Sequence, residues 1–116
     1  MAAAFAQSFA AAKAKGLKVL VTISHSAPYG IGDAYPLMQS FFTNSNIDFL
    51  SPQLYTSGSE LNNEYTTSGG VTWNMYAGAR AKVIPSIVKA NMYADAQTYF
   101  AQHGVTLAGF IQWSQS

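Results

Sequence analysis

The chain has 116 residues and a formal net charge of +1, six Lys and Arg standing against five Asp and Glu. That length bounds it to one domain, 1–116, which buries roughly two-thirds of its unfolded surface. So even a balance, with only 9% charged residues, offers no field for nucleic acid or an acidic membrane.

The lack of cysteine excludes disulfides and thiolate chemistry and leaves the compartment open. No apolar run approaches the roughly 18 residues of a membrane span. Aromatic residues make up 14%, with seven Tyr and two Trp. Core packing accounts for such an excess, and so does a surface on which flat ligands stack.

The opening residues, MAAAFAQSFAAAKAK, are rich in Ala, carry Lys and Ser and lack acids, as organelle transit peptides do. Helical spacing gives a better reading. Phe5, Phe9 and Ala12 fall on one stripe, Lys13 and Lys15 suit a last turn, and Gly16 suits a C-cap. A docked helix is expected, with no signal peptide evident.

Residues 17–24 read as a buried strand and 25–32 as the loop leaving it. Asp33 suits the cap of a helix with Leu37, Met38, Phe41 and Phe42 as its apolar stripe, closed by Asn44-Ser45-Asn46. A second strand spans 47–55. Its odd positions set Phe49, Ser51, Gln53 and Tyr55 on one face, and its even positions set Leu50 and Leu54 on the other. Side chains at the C-terminal end of such a parallel strand commonly build a site, which points to Gln53 and Tyr55.

Residues 56–71 form a polar loop of a length usually tied to function or disorder. Thr72 suits the cap of a short helix with Trp73, Tyr76 and Ala77. A third strand follows at 82–88, then a helix over 93–102 closed by His103-Gly104, then a fourth strand over 106–113. Alternation of four helices and four strands predicts a parallel sheet with right-handed crossovers. Pro52 and Pro85 conflict with central strands, because proline deletes a ladder donor. They are expected where a neighbouring strand has already ended.

In order and spacing, these strands resemble the second half of the (β/α)8 barrel of family-18 glycoside hydrolases, the chitinase and chitinase-like group. The 47–55 strand with its Gln53-Leu54-Tyr55 ending looks like that family's sixth strand, and Gly109-Phe110-Ile111-Gln112-Trp113 like its eighth. The segment 19–28, ending Ser26-Ala27-Pro28, is similar to the fifth, and 83–86 to the seventh. The resemblance implies that Tyr55 hydrogen-bonds a substrate acetamido group, that Gln53 lines the same pocket, and that Trp113 floors the sugar at the cleavage point. A phenol offers a directional donor and an indole a wide apolar platform, so the residue types suit these roles.

One departure weakens the enzymatic half of the resemblance. The family's catalytic glutamate closes an acidic Asp-x-x-Asp-x-Asp-x-Glu motif, which this sequence does not contain. Of its five acids, Asp33, Asp48 and Asp95 occupy element starts, and only Glu60 and Glu64 lie in the loop on the presumed site side. Glycoside hydrolysis generally needs a positioned carboxylic acid.

Other chemistries are poorer fits. Gly30-Ile31-Gly32 lacks the third glycine of a dinucleotide loop, whose position holds Tyr35. His25 and His103, at opposite ends of their elements, make no metal pair. His103 reads as a helix-end residue bonding the last carbonyls, and His25 has no nucleophile elbow or orienting acid nearby in sequence. No cofactor or metal is expected.

The expected fold is thus α/β, a parallel four-stranded half barrel. Closure of this architecture takes eight strands. Two open edges and an uncovered face, bearing Phe49, Ile111 and Trp113, imply a homodimer or domain swap that completes the barrel. A monomer would have to cover that face with the 56–71 loop. The expected function is binding of an N-acetylglucosamine-type oligosaccharide without efficient hydrolysis, through Gln53, Tyr55 and Trp113 with Tyr29 in support. The alternatives are a minimal glycosidase using Glu60 or Glu64 as acid, and a self-associating structural module without a ligand.

Overall fold

The computed structural model describes residues 2–24, 35–55, 60–65 and 72–112. Helix α1 (Ala2–Ala14) leads to β1 (Leu20–Ser24), α2 (Tyr35–Thr43) and β2 (Phe49–Gln53). A 3₁₀ segment (Trp73–Gly78) then precedes β3 (Lys82–Val83) and β4 (Ser86–Ile87). A 3₁₀ turn (Ala90–Met92) runs into α3 (Tyr93–Gln102), and β5 (Ile111–Gln112) follows. Every strand pair is parallel, and the order is β1, β2, β4, β5, with β3 beside β2. This is an α/β fold whose successive strands are neighbours, compatible with half of a (β/α) barrel.

β3 and β4 are two pieces of one strand, and the prolines explain the break. A single register pairs Phe49 with Lys82 and Gln53 with Ser86, which sets Pro52 beside Pro85. Pro52 has no amide hydrogen to give Ile84 O, so the ladder loses a bond at that level, while Pro85, whose carbonyl accepts from Ile111 N, lacks its donor on the β5 side. Pairing resumes on both sides, with Ile84 N donating to Leu50 O at 3.0 Å and Leu54 N to Ser86 O at 2.9 Å. The expectation that a neighbouring strand had ended is therefore corrected: the strand continues past an interruption, and both rings are fully buried.

The last strand is much shorter than 106–113 for a related reason. Ala108 N bonds Val83 O at 3.0 Å and Ile111 N bonds Pro85 O at 2.9 Å, so the last strand advances three residues against two. The extra residue makes a bulge, and Gly109 within it adopts φ +154°, a conformation essentially reserved for glycine.

Helix ends follow the sequence closely. Gly16 at φ +78° closes α1, with Gly16 N on Lys13 O at 2.9 Å and Leu17 N on Ala12 O at 3.1 Å. Gly104 at φ +77° closes α3 with the same pair of bonds, to Ala101 O and Phe100 O. Both are Schellman caps, which satisfy carbonyls the helix leaves over. Thr72 stands at the cap position of the Trp73–Gly78 segment but makes no side-chain cap bond there. The His103 ring also departs from expectation, bonding Asn74 Oδ1 rather than helix carbonyls.

The helices cover one face of the sheet. Leu37, Met38, Phe41 and Phe42 of α2, with Ala96 and Phe100 of α3, are buried against Val21, Ile23, Leu50, Leu54, Val83 and Ile87. Phe5 and Phe9 of α1 set their rings against Phe41 at 5.5 and 5.7 Å. Trp73 meets Phe100 edge-on at 5.1 Å. At the N-terminal end of the sheet, Lys13 bridges to Asp48 at 3.1 Å, and Asp48 Oδ2 accepts from Val19 N at 2.7 Å. These bonds hold the Asp48 carboxyl below its ordinary range, the backbone bond contributing most and Lys13 next.

On the other face Leu20 and Thr22 are exposed, and Phe49, Gln53, Ile84 and Ile111 are half-buried. No described helix lies over it. Near its centre the Ser51 and Ser86 hydroxyls share a buried hydrogen bond of 2.6 Å across the β2–β4 pair.

Candidate functional site

Parallel α/β sheets place their sites beyond the carboxyl ends of the strands, because the loops that leave them converge there. At that end β2 presents Gln53 and, two residues on, Tyr55. The Gln53 side chain and the Glu60 carboxylate both lie near enough to the Tyr55 phenol to influence its titration. Partial burial, the largest influence, keeps the Tyr55 hydroxyl above its ordinary pKa; the nearby Gln53 side chain acts against this and the Glu60 charge adds to it. At neutral pH Tyr55 is thus a protonated donor, half-buried with its ring against the core.

The loop segment 60–65 returns to this strand end. Glu64 N donates to Leu54 O at 2.9 Å, which places Glu64 beside the tip of β2. The segment then turns toward the helices instead of lying over the open face. Tyr65 stacks on Tyr99 of α3 at 3.7 Å between ring centres, and its hydroxyl donates to Asp95 Oδ2 at 2.5 Å. Asn63 Nδ2 donates to Met92 O at 2.9 Å and lies 3.2 Å from both Tyr65 Oη and Asp95 Oδ2. Trp73 Nε1 donates to Tyr65 O at 2.8 Å. Burial and the Asp95 bond hold the Tyr65 phenol well above its ordinary range. In its described part the loop therefore does not form the cover over the sheet that a monomer was expected to need.

Of the residues singled out in the sequence, Gln53, Tyr55, Glu60 and Glu64 gather at the β2 tip. Tyr29, His25, Gly30, Gly32, Asp33 and Trp113 lie outside the described residues. Sequence reasoning missed the Asn63, Tyr65 and Asp95 cluster. One signal for it was present: an aromatic residue inside a polar loop needs somewhere to pack. Asp95 does occupy the first turn of α3, as expected, but it also receives two side-chain donors.

Among the described residues no group of three or more His, Asp or Glu side chains converges as metal ligands would, and no helix is long and apolar enough to cross a membrane. A cavity of about 320 Å³ opens at the opposite end of the sheet, among Ala77, Ala79, Ala81, Val83 and Ala108. Small apolar side chains dominate it, so it lacks the convergent polar groups of a recognition site.

Fold and rim together define a parallel α/β sheet with one face over which no described helix lies and a polar cluster at its carboxyl edge. No protein-family model, no curated protein and no solved structure matches the chain.

Proposed function

We propose that the chain binds N-acetylglucosamine-type oligosaccharides at the carboxyl end of β2 without hydrolysing them efficiently. What supports this is the placement of Gln53 and Tyr55 together at the carboxyl end of β2, where partial burial keeps the Tyr55 phenol protonated. A phenol so held can donate to an acetamido carbonyl, the role its resemblance to the family-18 strand ending implies. The sequence lacks that family's acidic motif, and this favours binding over cleavage. Trp113 and Tyr29 complete the proposed surface as stacking and supporting groups.

Titration calorimetry with chito-oligosaccharides tests the reading. Saturable binding is expected, weakened about two- to tenfold in Tyr55→Phe, the worth of one hydrogen bond. Trp113→Ala abolishes it, whereas Glu60→Gln and Glu64→Gln leave it intact. Product formation that either glutamine variant abolishes would instead establish a minimal glycosidase.

A second reading rests on a separate observation. β1 and β5 end the described sheet, and the face carrying Leu20, Phe49 and Ile84 has no described helix over it. Unpaired edges and apolar sheet surface favour another chain. A two-fold pair joining β5 of each copy to β1 of the other would make an eight-stranded ring. Sedimentation equilibrium across a concentration series should give twice the chain mass. A monomer throughout would remove this reading and leave the rim site open to solvent.

A further inference from the structure

The net charge of +1 hides an uneven distribution. At the amino end of the sheet, Lys15 and Lys18 lie in the turn before β1, Lys82 opens β3, and Arg80 stands just ahead of it, all of them exposed. One acid stands among them. Asp48 Oδ2 accepts from Val19 N at 2.7 Å, next to Lys18, and Asp48 O accepts from Lys82 N at 3.0 Å. That carboxylate is already taken by Lys13, in the one ion pair among the described residues. At the carboxyl end the sign reverses. Glu60 and Glu64 follow β2, with Glu64 N on Leu54 O, and Asp95 lies in the first turn of α3. Every Lys and Arg except Lys89 thus lies at the amino end, and every described acid except Asp48 at the carboxyl end.

Helix dipoles account for part of this. Lys13 and Lys15 suit the carbonyl end of α1, and Asp95 suits the amino end of α3. Lys18, Lys82, Glu60 and Glu64 belong to no helix, so the dipoles leave them unexplained. The exposed apolar side chains follow the same division. Leu61, 91% exposed, stands between Glu60 and Glu64, and Leu17, 55% exposed, stands between Lys15 and Lys18. One exposed leucine is ordinary. These two are the most exposed large apolar side chains described, and charges of opposite sign flank them at opposite ends.

This pattern selects the occupant. A uniformly anionic polymer would use the amino end alone, and a chain of net charge +1 attracts it weakly from a distance. A second copy uses both ends, since its rim offers the acids that the amino end lacks. Two amino ends would repel each other, which excludes a two-fold pairing there and sets the copies head to tail. We propose that copies of this chain stack with the amino end of one on the carboxyl rim of the next, Leu17 meeting Leu61 inside a ring of opposed charges. Such a contact is heterologous and does not close at two copies. It depends neither on the oligosaccharide reading nor on edge pairing of β1 with β5.

Sedimentation velocity over a concentration series tests the stack at about 10 mM and about 1 M salt, where the screening length falls from roughly 30 Å to roughly 3 Å. Exposed ion pairs are individually weak, so a dissociation constant on the order of 0.1–1 mM is expected at low salt. At high salt it should weaken at least about tenfold. Zero-length carbodiimide coupling of mixed light and isotope-labelled chains should join Lys18 or Lys82 of one copy to Glu60 or Glu64 of another. Lys18→Glu with Lys82→Glu makes both ends acidic, and Glu60→Lys with Glu64→Lys makes both basic. Each double variant alone should lose the salt-sensitive association, and an equimolar mixture should regain it, which also shows that both are folded. A monomer at low salt, or association indifferent to salt, would overturn the proposal; a salt-resistant dimer would belong to edge pairing instead. Tight retention on a heparin matrix without self-association would likewise overturn it, because the amino end would then serve a polyanion.

Discussion

On the helix-bearing face of the sheet Val21, Ile23, Leu50, Leu54, Val83 and Ile87 are all buried, whereas on the opposite face Leu20 and Thr22 are exposed and Phe49 and Ile84 half-buried. The strands are the same; only the partners differ. Alternation along each strand sends neighbouring residues to opposite faces, so one short sequence can carry a complete core and an unfinished surface together. Stability resides in the first, while the proposals of a ligand and of a second copy concern the second and the rim.

The largest effect should separate the faces directly. Phe100→Ala removes a fully buried ring that packs on Trp73 and Tyr76, and urea denaturation should register a loss of about 3–5 kcal/mol. Phe49→Ala, on the open face, should cost about 1–2 kcal/mol, since only part of its surface leaves water. An equal loss at Phe49, growing with protein concentration, would show that the open face is covered in solution by another copy.

The buried hydroxyl pair sharpens the contrast within the open face. Ser51→Ala strands Ser86 without its 2.6 Å partner, an expected loss of about 1–3 kcal/mol, while Ser51→Ala with Ser86→Ala should recover most of it. Non-recovery in the double variant would assign the cost to packing instead. A smaller loss, about 1 kcal/mol, is expected for Gly104→Ala, because its φ of +77° disfavours any Cβ even though the nearest atom would be 3.9 Å away.

The smallest effect is electrostatic and belongs to the opposite end of the sheet. Asp48 has a folded pKa below its unfolded value near 3.8. Its contribution is therefore complete above that value and is lost as pH falls toward the folded one, where the unfolded chain binds more protons. Stability measured from pH 6 down to pH 2 should lose this increment in the wild type. Asp48→Asn should flatten that part of the profile, and an unchanged profile would deny the Lys13 and Val19 bonds their assigned effect.

Much of the helical layer was legible from spacing alone. The stripe Leu37, Met38, Phe41, Phe42 is the buried face of α2, Gly16 and Gly104 are the caps that end α1 and α3, and the last helix runs Tyr93–Gln102 as read. These features are local: a turn of helix buries whichever residues recur on one side, and a positive φ selects glycine wherever a helix must stop. The strand extents were less legible. Whether a proline breaks a strand depends on what stands beside it, and that Pro52 and Pro85 share one level is a property of register. At the rim, the adjacency of Gln53 and Tyr55 could be read from period two, but the Asn63, Tyr65 and Asp95 cluster could not. Asp95 lies 32 residues from Asn63 and 30 from Tyr65 in the chain.

By itself the sequence determined the alternation of helices and strands, the parallel class of the sheet, the residues that fill its covered face and the polar ending of β2. Each of these follows from interactions within a few residues or from a repeating period. Only the tertiary structure decided that the strand after 82 is split, that Gly109 carries a bulge, and that the long loop turns its aromatic side chain to α3 instead of across the open face. Those outcomes are settled by contacts between distant segments, where close packing and the pairing of buried polar groups admit few arrangements.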